Sequence, residues 1–132
     1  MNRIEAVVEE VRNHQGVSLL RCRRGLEEIV MLSLELPEGL EAGREVTLGI
    51  KATHIALAPL SSPDWGIDNR IPVEIARIEE GRIVVSVELR WDETTLEAVL
   101  TRSAFEKTAL KEGDEAYALF GAAEVALLEV KS

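Results

Sequence analysis

The chain is poor in the residues that staple, stack or catalyse. It has one cysteine, two histidines and 4% aromatic residues in 132 positions. A lone Cys22 cannot close an intrachain disulfide, and with no CxxC or CxxxH partner it excludes a structural zinc site. It stands beside Arg21, Arg23 and Arg24 and reads as an ordinary strand residue with no assigned role. Basic charge is also scarce: 15 Lys and Arg face 24 Asp and Glu, a net charge of −9. A nucleic-acid surface draws its affinity from cations on phosphates and its stacking from aromatics, so both shortages argue against one. No apolar run approaches the roughly 20 residues needed to cross a bilayer. The opening Met1-Asn2-Arg3-Ile4-Glu5 has no charged-then-apolar leader, so the expected location is the cytoplasm, without membrane insertion.

Catalytic signatures are missing as well. There is no phosphate-cradling glycine loop, GxSxG elbow or HExxH motif. His14 falls in a predicted turn, and His54 follows Lys51-Ala52-Thr53 without a neighbour at metal spacing, so each has a surface or packing role. The pairs Glu9-Glu10, Glu27-Glu28 and Glu79-Glu80 lie at strand ends, where successive side chains diverge and solvated faces result. Arg21 and Arg23 share one face of a strand and read as solvated near the turn at Gly25. The sequence gives no reason to expect an enzyme, a metal site or an organic cofactor.

What the chain does have is a duplication. Asn2-Arg3-Ile4 recurs as Asn69-Arg70-Ile71, and Leu40-x-x-Gly43 as Leu110-x-x-Gly113. Ile50-Lys51-Ala52-Thr53-His54-Ile55-Ala56-Leu57 recurs as Phe120-Gly121-Ala122-Ala123-Glu124-Val125-Ala126-Leu127. The offset is 67 at Asn2 and Asn69 and 70 at Gly43 and Gly113, the drift that a few residues gained in turns would give. Units of about 60 residues are near the lower limit for independent folding, so the two are expected to share surface or to oligomerise.

Apolar residues alternate with period two, as in Ile83, Val85, Val87 and Leu89 and again in Leu96, Ala98 and Leu100. Strands are predicted at 4–11, 17–23, 27–32, 45–50 and 54–58, then at 69–79, 82–89, 95–101, 114–120 and 124–130. Five short strands per copy, with a longer connection after the third, predict an all-β fold. It consists of two tandem five-stranded OB-like Greek-key barrels. The division is 1–59 for the first, 60–68 for a linker and 69–132 for the second. A short helix is predicted only in the second, capped by Ser103 with Glu106 completing a box and with Phe105 and Leu110 facing the core. Pro37 and Gly39 leave only a turn or a single 3₁₀ turn in the first. Trp65 is expected to anchor the linker by packing on a barrel.

One feature points toward binding. In each copy the fourth strand runs through small residues straight into the fifth, and successive N–H groups at such a bend can form an anion-binding concavity. The first copy adds a cation at Lys51 and a hydroxyl at Thr53, suited to a compact oxyanion. Spacing alone favours the plainer alternative, a tight strand connection with an exposed lysine.

At this point the chain resembles a known family. Asn69-Arg70-Ile71-Pro72, Glu79-Glu80-Gly81, Leu96–Thr101, Leu110–Gly113, Ala116-Tyr117-Ala118 and Ala122–Leu127 look like the Mop/TOBE domain of molybdate-binding proteins. The first copy matches chiefly through Asn2-Arg3-Ile4 and Val46–Leu57, so the whole resembles a tandem di-Mop protein, a molbindin. The same tandem is found in the carboxy-terminal domain of molybdate-importer ATPases. The resemblance implies molybdate or tungstate as bound ligand, with storage, homeostasis or sensing as the role. It also implies a homo-oligomer, with a trimer the expected form, and contacts with molybdate-transport or cofactor-synthesis proteins.

In that family a Ser-Ala-Arg-Asn segment leading into the first strand and a Lys-Ala-Ser-Ser segment leading into the last hold the oxyanion. Carried over, the oxyanion-binding residues are Lys51, Ala52, Thr53, Ile67, Asp68, Asn69, Thr101, Ala122 and Ala123. The second copy departs from the pattern: Gly66 and Asp68 replace the hydroxyl and the arginine, and Gly121 and Ala123 replace the lysine and a serine. Only Met1 precedes Asn2, so the first copy has almost no leading segment. If the leading segment of one copy meets the closing turn of the other, Lys51-Ala52-Thr53 with Gly66–Asn69 makes the better site. The alternative is a TOBE-type regulatory or assembly module with weak or lost oxyanion binding. A third reading, an OB-fold binder of nucleic acid or oligosaccharide, is opposed by the charge and the few aromatics.

Overall fold

The structure, a computed structural model, describes all 132 residues. Alternation sets the strands. Along Val84–Trp91 the side chains of Val85, Val87, Leu89 and Trp91 are buried, while Val84, Glu88 and Arg90 face outward. The first repeat forms β1 (Asn2–His14), β2 (Val17–Arg24), β3 (Glu27–Ser33), β4 (Glu45–Ile50) and β5 (Ala56–Pro59). The second forms β6 (Asn69–Glu80), β7 (Val84–Trp91), β8 (Thr94–Thr101), helix α1 (Arg102–Thr108), β9 (Glu115–Phe120) and β10 (Ala126–Val130). Strands were expected to begin at His54 and Glu124. Instead single 3₁₀ turns, Ala52–His54 and Ala122–Glu124, separate β4 from β5 and β9 from β10.

These turns redirect the chain from one sheet to the other. The two antiparallel sheets run β10-β4-β1-β2-β3 and β5-β9-β6-β7-β8. Each OB-like barrel therefore takes its last strand from the other repeat. Side-chain size fits this exchange. A Cβ on Gly49 would lie 2.7 Å from Leu128 Cδ1 and 2.9 Å from Met1 Sδ, so β4 is small where β10 is large. In the second sheet Leu119 of β9 stands opposite Ala56 and Ala58 opposite Tyr117, without the irregularity that β10 has at Leu128.

The repeated Leu-x-x-Gly is the turn into the fourth strand of each repeat. Gly43 and Gly113 have φ of +95° and +90°, which favour glycine. Their N–H groups donate to the carbonyls of Val8 and Ile75, each 2.8 Å away, where a bulge breaks the pairing of β1 with β2 and of β6 with β7. Helix α1 buries Phe105 as expected, but its cap is Thr101. β8 delivers Thr101 in an extended conformation, and its Oγ1 accepts the Ala104 N–H at 3.2 Å. Ser103 falls inside the first turn, and Glu106 pairs with Arg102 at 3.0 Å. The first repeat, with Pro37 and a positive-φ Gly39, crosses by turns alone. Trp65 does not anchor the linker, being 59% exposed. Arg70 does so, donating to the carbonyls of Pro63 and Ser62 at 2.6 and 2.8 Å while lying over the Tyr117 ring at 3.9 Å. No helix is long and apolar enough to cross a membrane.

The barrels are joined by two matching clasps. The Asn69 amide accepts the Val30 N–H at 2.8 Å and donates to the Val30 carbonyl at 3.0 Å. Asn2 does the same to Glu97, with both bonds at 2.8 Å. Val30 and Glu97 lie on β3 and β8, the edge strands, whose outer backbone groups would otherwise lack partners. One contiguous core of 27 buried residues runs through both barrels, as units too small to fold separately require. Cys22 is part of it, and burial, with Glu9 adding, pushes its thiol up to about 12, so it carries no thiolate reactivity. Past β10, Lys131 pairs with Glu5 at 2.6 Å, while its N–H donates to the Glu45 carbonyl at 2.9 Å.

Two predictions follow from these joints. Asn69→Ala strands the N–H and C=O of buried Val30 and should cost about 1–3 kcal/mol in urea unfolding. Asn2→Ala should cost less, because Glu97 is exposed and water can replace the amide; equal losses would contradict this account. The Glu5 carboxyl is held below its ordinary 4.5, first by the hydrogen bond with Lys131 and then by that with Thr47, and Lys131 is raised by the same partner. The contribution of Glu5 is present above pH 4.5 and is lost as pH falls through its lowered value; that of Lys131 is present below 10.5 and is lost above its raised value. The stability difference between wild type and Glu5→Gln should therefore be measurable at pH 7 and should shrink at pH 3.

Candidate functional site

The two closing turns are built alike but equipped differently. In the first, the His54 N–H donates to the Lys51 carbonyl at 2.9 Å and no side chain caps the turn. The N–H groups that start such a turn have no partner within it. Lys51 and Thr53 are exposed and Ala52 is half-buried, so a cation and a hydroxyl are open to solvent on either side of Ala52. No salt bridge engages Lys51.

The second turn answers itself. Glu124 Oε1 accepts the Gly121 N–H at 3.4 Å, so a carboxylate of the chain lies where an external anion would sit. An oxyanion there would meet like charge. Ala122 is buried and Ala123 exposed, and neither supplies a side-chain donor. The turns also approach each other, with His54 Nδ1 3.5 Å from Glu124 Oε2. At an offset of 70 these two are the same position of the two repeats. Neighbouring residues in sequence gave His54 no acidic partner; exchange of the last strands supplies one.

The remaining predicted residues are distributed by the strand register. Asn69 pairs with Phe120, which sets Ile67, Asp68 and Asn69 beside the closing turn of their own repeat, at Gly121. Asn2 pairs with Ile50, so Lys51 lies beside Met1, and the turn Ala52–His54 packs against β8. No hydrogen bond or ion pair joins Lys51 or Thr53 to Gly66–Asn69 within one chain. Asn69 is fully buried and its amide is committed to Val30, while Asp68 is exposed and Ile67 half-buried. Thr101, at the end of β8, is exposed; its Oγ1 accepts from Ala104 and lies 3.4 Å from Ser103 Oγ. No three His, Cys, Asp or Glu side chains converge so as to hold a metal ion. Arg21 and Arg23, read as solvated, are paired with Glu10 and Glu28 and with Glu9. Arg24 lies over the Trp91 ring at 4.7 Å and donates to Thr94, a barrel-to-barrel contact that the sequence did not signal.

Comparison with known proteins follows the same outline. Residues 66–127 match the TOBE domain family. Comparison with curated protein sequences finds no match. Among solved structures the chain is similar to the cytoplasmic molybdate-binding protein ModG, in a crystal form with molybdate bound. The TM-score is 0.87 at 23% identity, covering 96% of this chain and 94% of that one. At that identity the likeness establishes the fold, and it extends over both barrels. Residues 66–127 thus match the TOBE domain, and the whole chain has the tandem OB-like barrel fold of that solved structure.

Proposed function

We propose that this protein binds molybdate or tungstate in the cytoplasm, without catalysis, and serves storage, homeostasis or sensing. The observation that carries the proposal is the uncapped turn Lys51-Ala52-Thr53, which presents a cation and a hydroxyl to solvent. The fold it shares with a protein crystallised with molybdate supports the same reading. In a chain of net charge −9, only such local donors can offset the repulsion of an anion. The site we propose centres on Lys51 and Thr53 with the Ala52 amide. Thr101 sits on the strand against which this turn packs, and Asn69 acts by holding the barrels together. Ile67 and Asp68 join this site from a second copy, while Ala122 and Ala123 belong to the reciprocal arrangement, where Glu124 opposes binding. The expected stoichiometry is one site of this type per chain.

Completion of the site by a second copy agrees with the register, which leaves Gly66–Asn69 unjoined to Lys51 within one chain. A homo-oligomer, with a trimer the expected form, is part of the proposal. One observation favours a second reading. The filled turn at Glu124 suits a TOBE-type regulatory or assembly module that has lost oxyanion binding and acts through contacts with transport or cofactor-synthesis proteins.

Titration calorimetry with molybdate, tungstate, sulfate and phosphate separates the two. The first reading expects a specific signal for the larger oxyanions, and Lys51→Ala should weaken it by about 1.5–3 kcal/mol, the worth of a hydrogen bond to a charged group. Equal affinity in wild type and Lys51→Ala would remove Lys51 from the site, and no signal with any oxyanion would favour the module.

A further inference from the structure

Where equivalent positions of the two repeats meet inside the chain, they carry unlike and complementary residues. Arg24 and Trp91, separated by the offset of 67, stack on each other, and His54 faces Glu124. Three more equivalent pairs are reversed in charge but do not meet. They are Glu10 and Arg77, Arg12 and Glu79, and Arg21 and Glu88. No ion pair joins the members of any of the three. All six residues lie on the outward faces of β1-β2 and β6-β7, where Glu10 stands opposite Arg21 and Arg77 opposite Glu88.

The same two faces end in exposed apolar side chains. On the first, Val17 and Leu32 are each 40% exposed and Leu34 is 77% exposed; on the second, Val84 is 46% exposed. Val17, Leu32 and Leu34 line one shallow groove with Ala123. Apolar surface bordered by charges of defined sign marks an interaction surface.

We infer that the outward face of β1-β2-β3 on one copy docks on the outward face of β6-β7-β8 of a second copy. Meeting another copy's identical face about a twofold axis would set like charges against each other near that axis. Meeting the other repeat's face sets Arg12 and Arg21 toward Glu79 and Glu88, and Glu10 toward Arg77. Because each copy offers one face of each kind, the contact is head-to-tail, which makes a ring when its rotation closes and a filament when it does not. The inference rests on the proposed self-association and names the surface that produces it.

Arg12 and Glu79 have no ion-pair partner within the chain, so reversing them disturbs the fold least. Sedimentation of the full chain would be compared for wild type, Arg12→Glu, Glu79→Arg, the double variant and Leu34→Asp. Wild type should sediment as an oligomer. Each single reversal and Leu34→Asp should raise the dissociation concentration at least about tenfold, and the double reversal should restore most of the loss. Wild type at single-chain mass would overturn self-association itself. An oligomer that is indifferent to the single variants, or weakened by both reversals without rescue in the double, would overturn only this assignment of the surface.

Discussion

The structure depends on how the open edges of its two sheets are satisfied. β3 and β8 are edge strands, each followed by a chain that leaves the sheet, and each would present unpaired backbone groups to the neighbouring barrel. The amides of Asn69 and Asn2 match a peptide unit in donor and acceptor, so one side chain closes both groups of Val30 or of Glu97. The same asparagines open the first strand of each repeat. A single residue type therefore fixes where the strand starts in its own sheet and where the other sheet docks. Exchange of β5 and β10 then makes separation of the barrels equivalent to unfolding both, and the continuous core shows the same dependence.

Tandem duplication relaxes a constraint that a symmetric pair of identical chains must obey. At a twofold axis identical chains juxtapose identical residues. Here the corresponding contacts are Arg24 with Trp91 and His54 with Glu124, pairings that two identical copies could not make. Gly49 under Leu128 is a packing contact of the same kind, made between unlike residues of the two repeats. Covalent linkage allowed each half to specialise against the other.

Much of this was legible in the sequence, and the limits have physical causes. Alternation located the strands because one face of each is buried, and the repeated Leu-x-x-Gly marked the duplication, while its positive-φ turn became visible only in the fold. The exchange of β5 and β10 was hidden, since their apolar alternation fits either sheet and the contact of Leu128 with Gly49 spans more than 70 residues. The helix cap fell at Thr101 because the end of β8 placed that hydroxyl first, although Ser103 fits the capping pattern equally well. Trp65 suggested an anchor by its size, but Arg70 does that work through linker carbonyls that no composition reveals. For the site, divergence between the copies singled out Lys51 and Thr53. The part played by Glu124 depends on which turns face each other, and that is a property of the fold.

Glu124 ties the asymmetry of the site to the asymmetry of the joint. One carboxylate oxygen takes the amide at Gly121 and the other reaches toward His54 beside the first turn. Two acids at this position would set like charges against each other where the barrels meet, whereas an acid in one turn alone supplies a partner for His54. The same carboxylate occupies a donor that an anion would need in that turn. Unequal turns are thus a consequence of packing two equivalent loops against each other in one chain, and they arise before any ligand is considered.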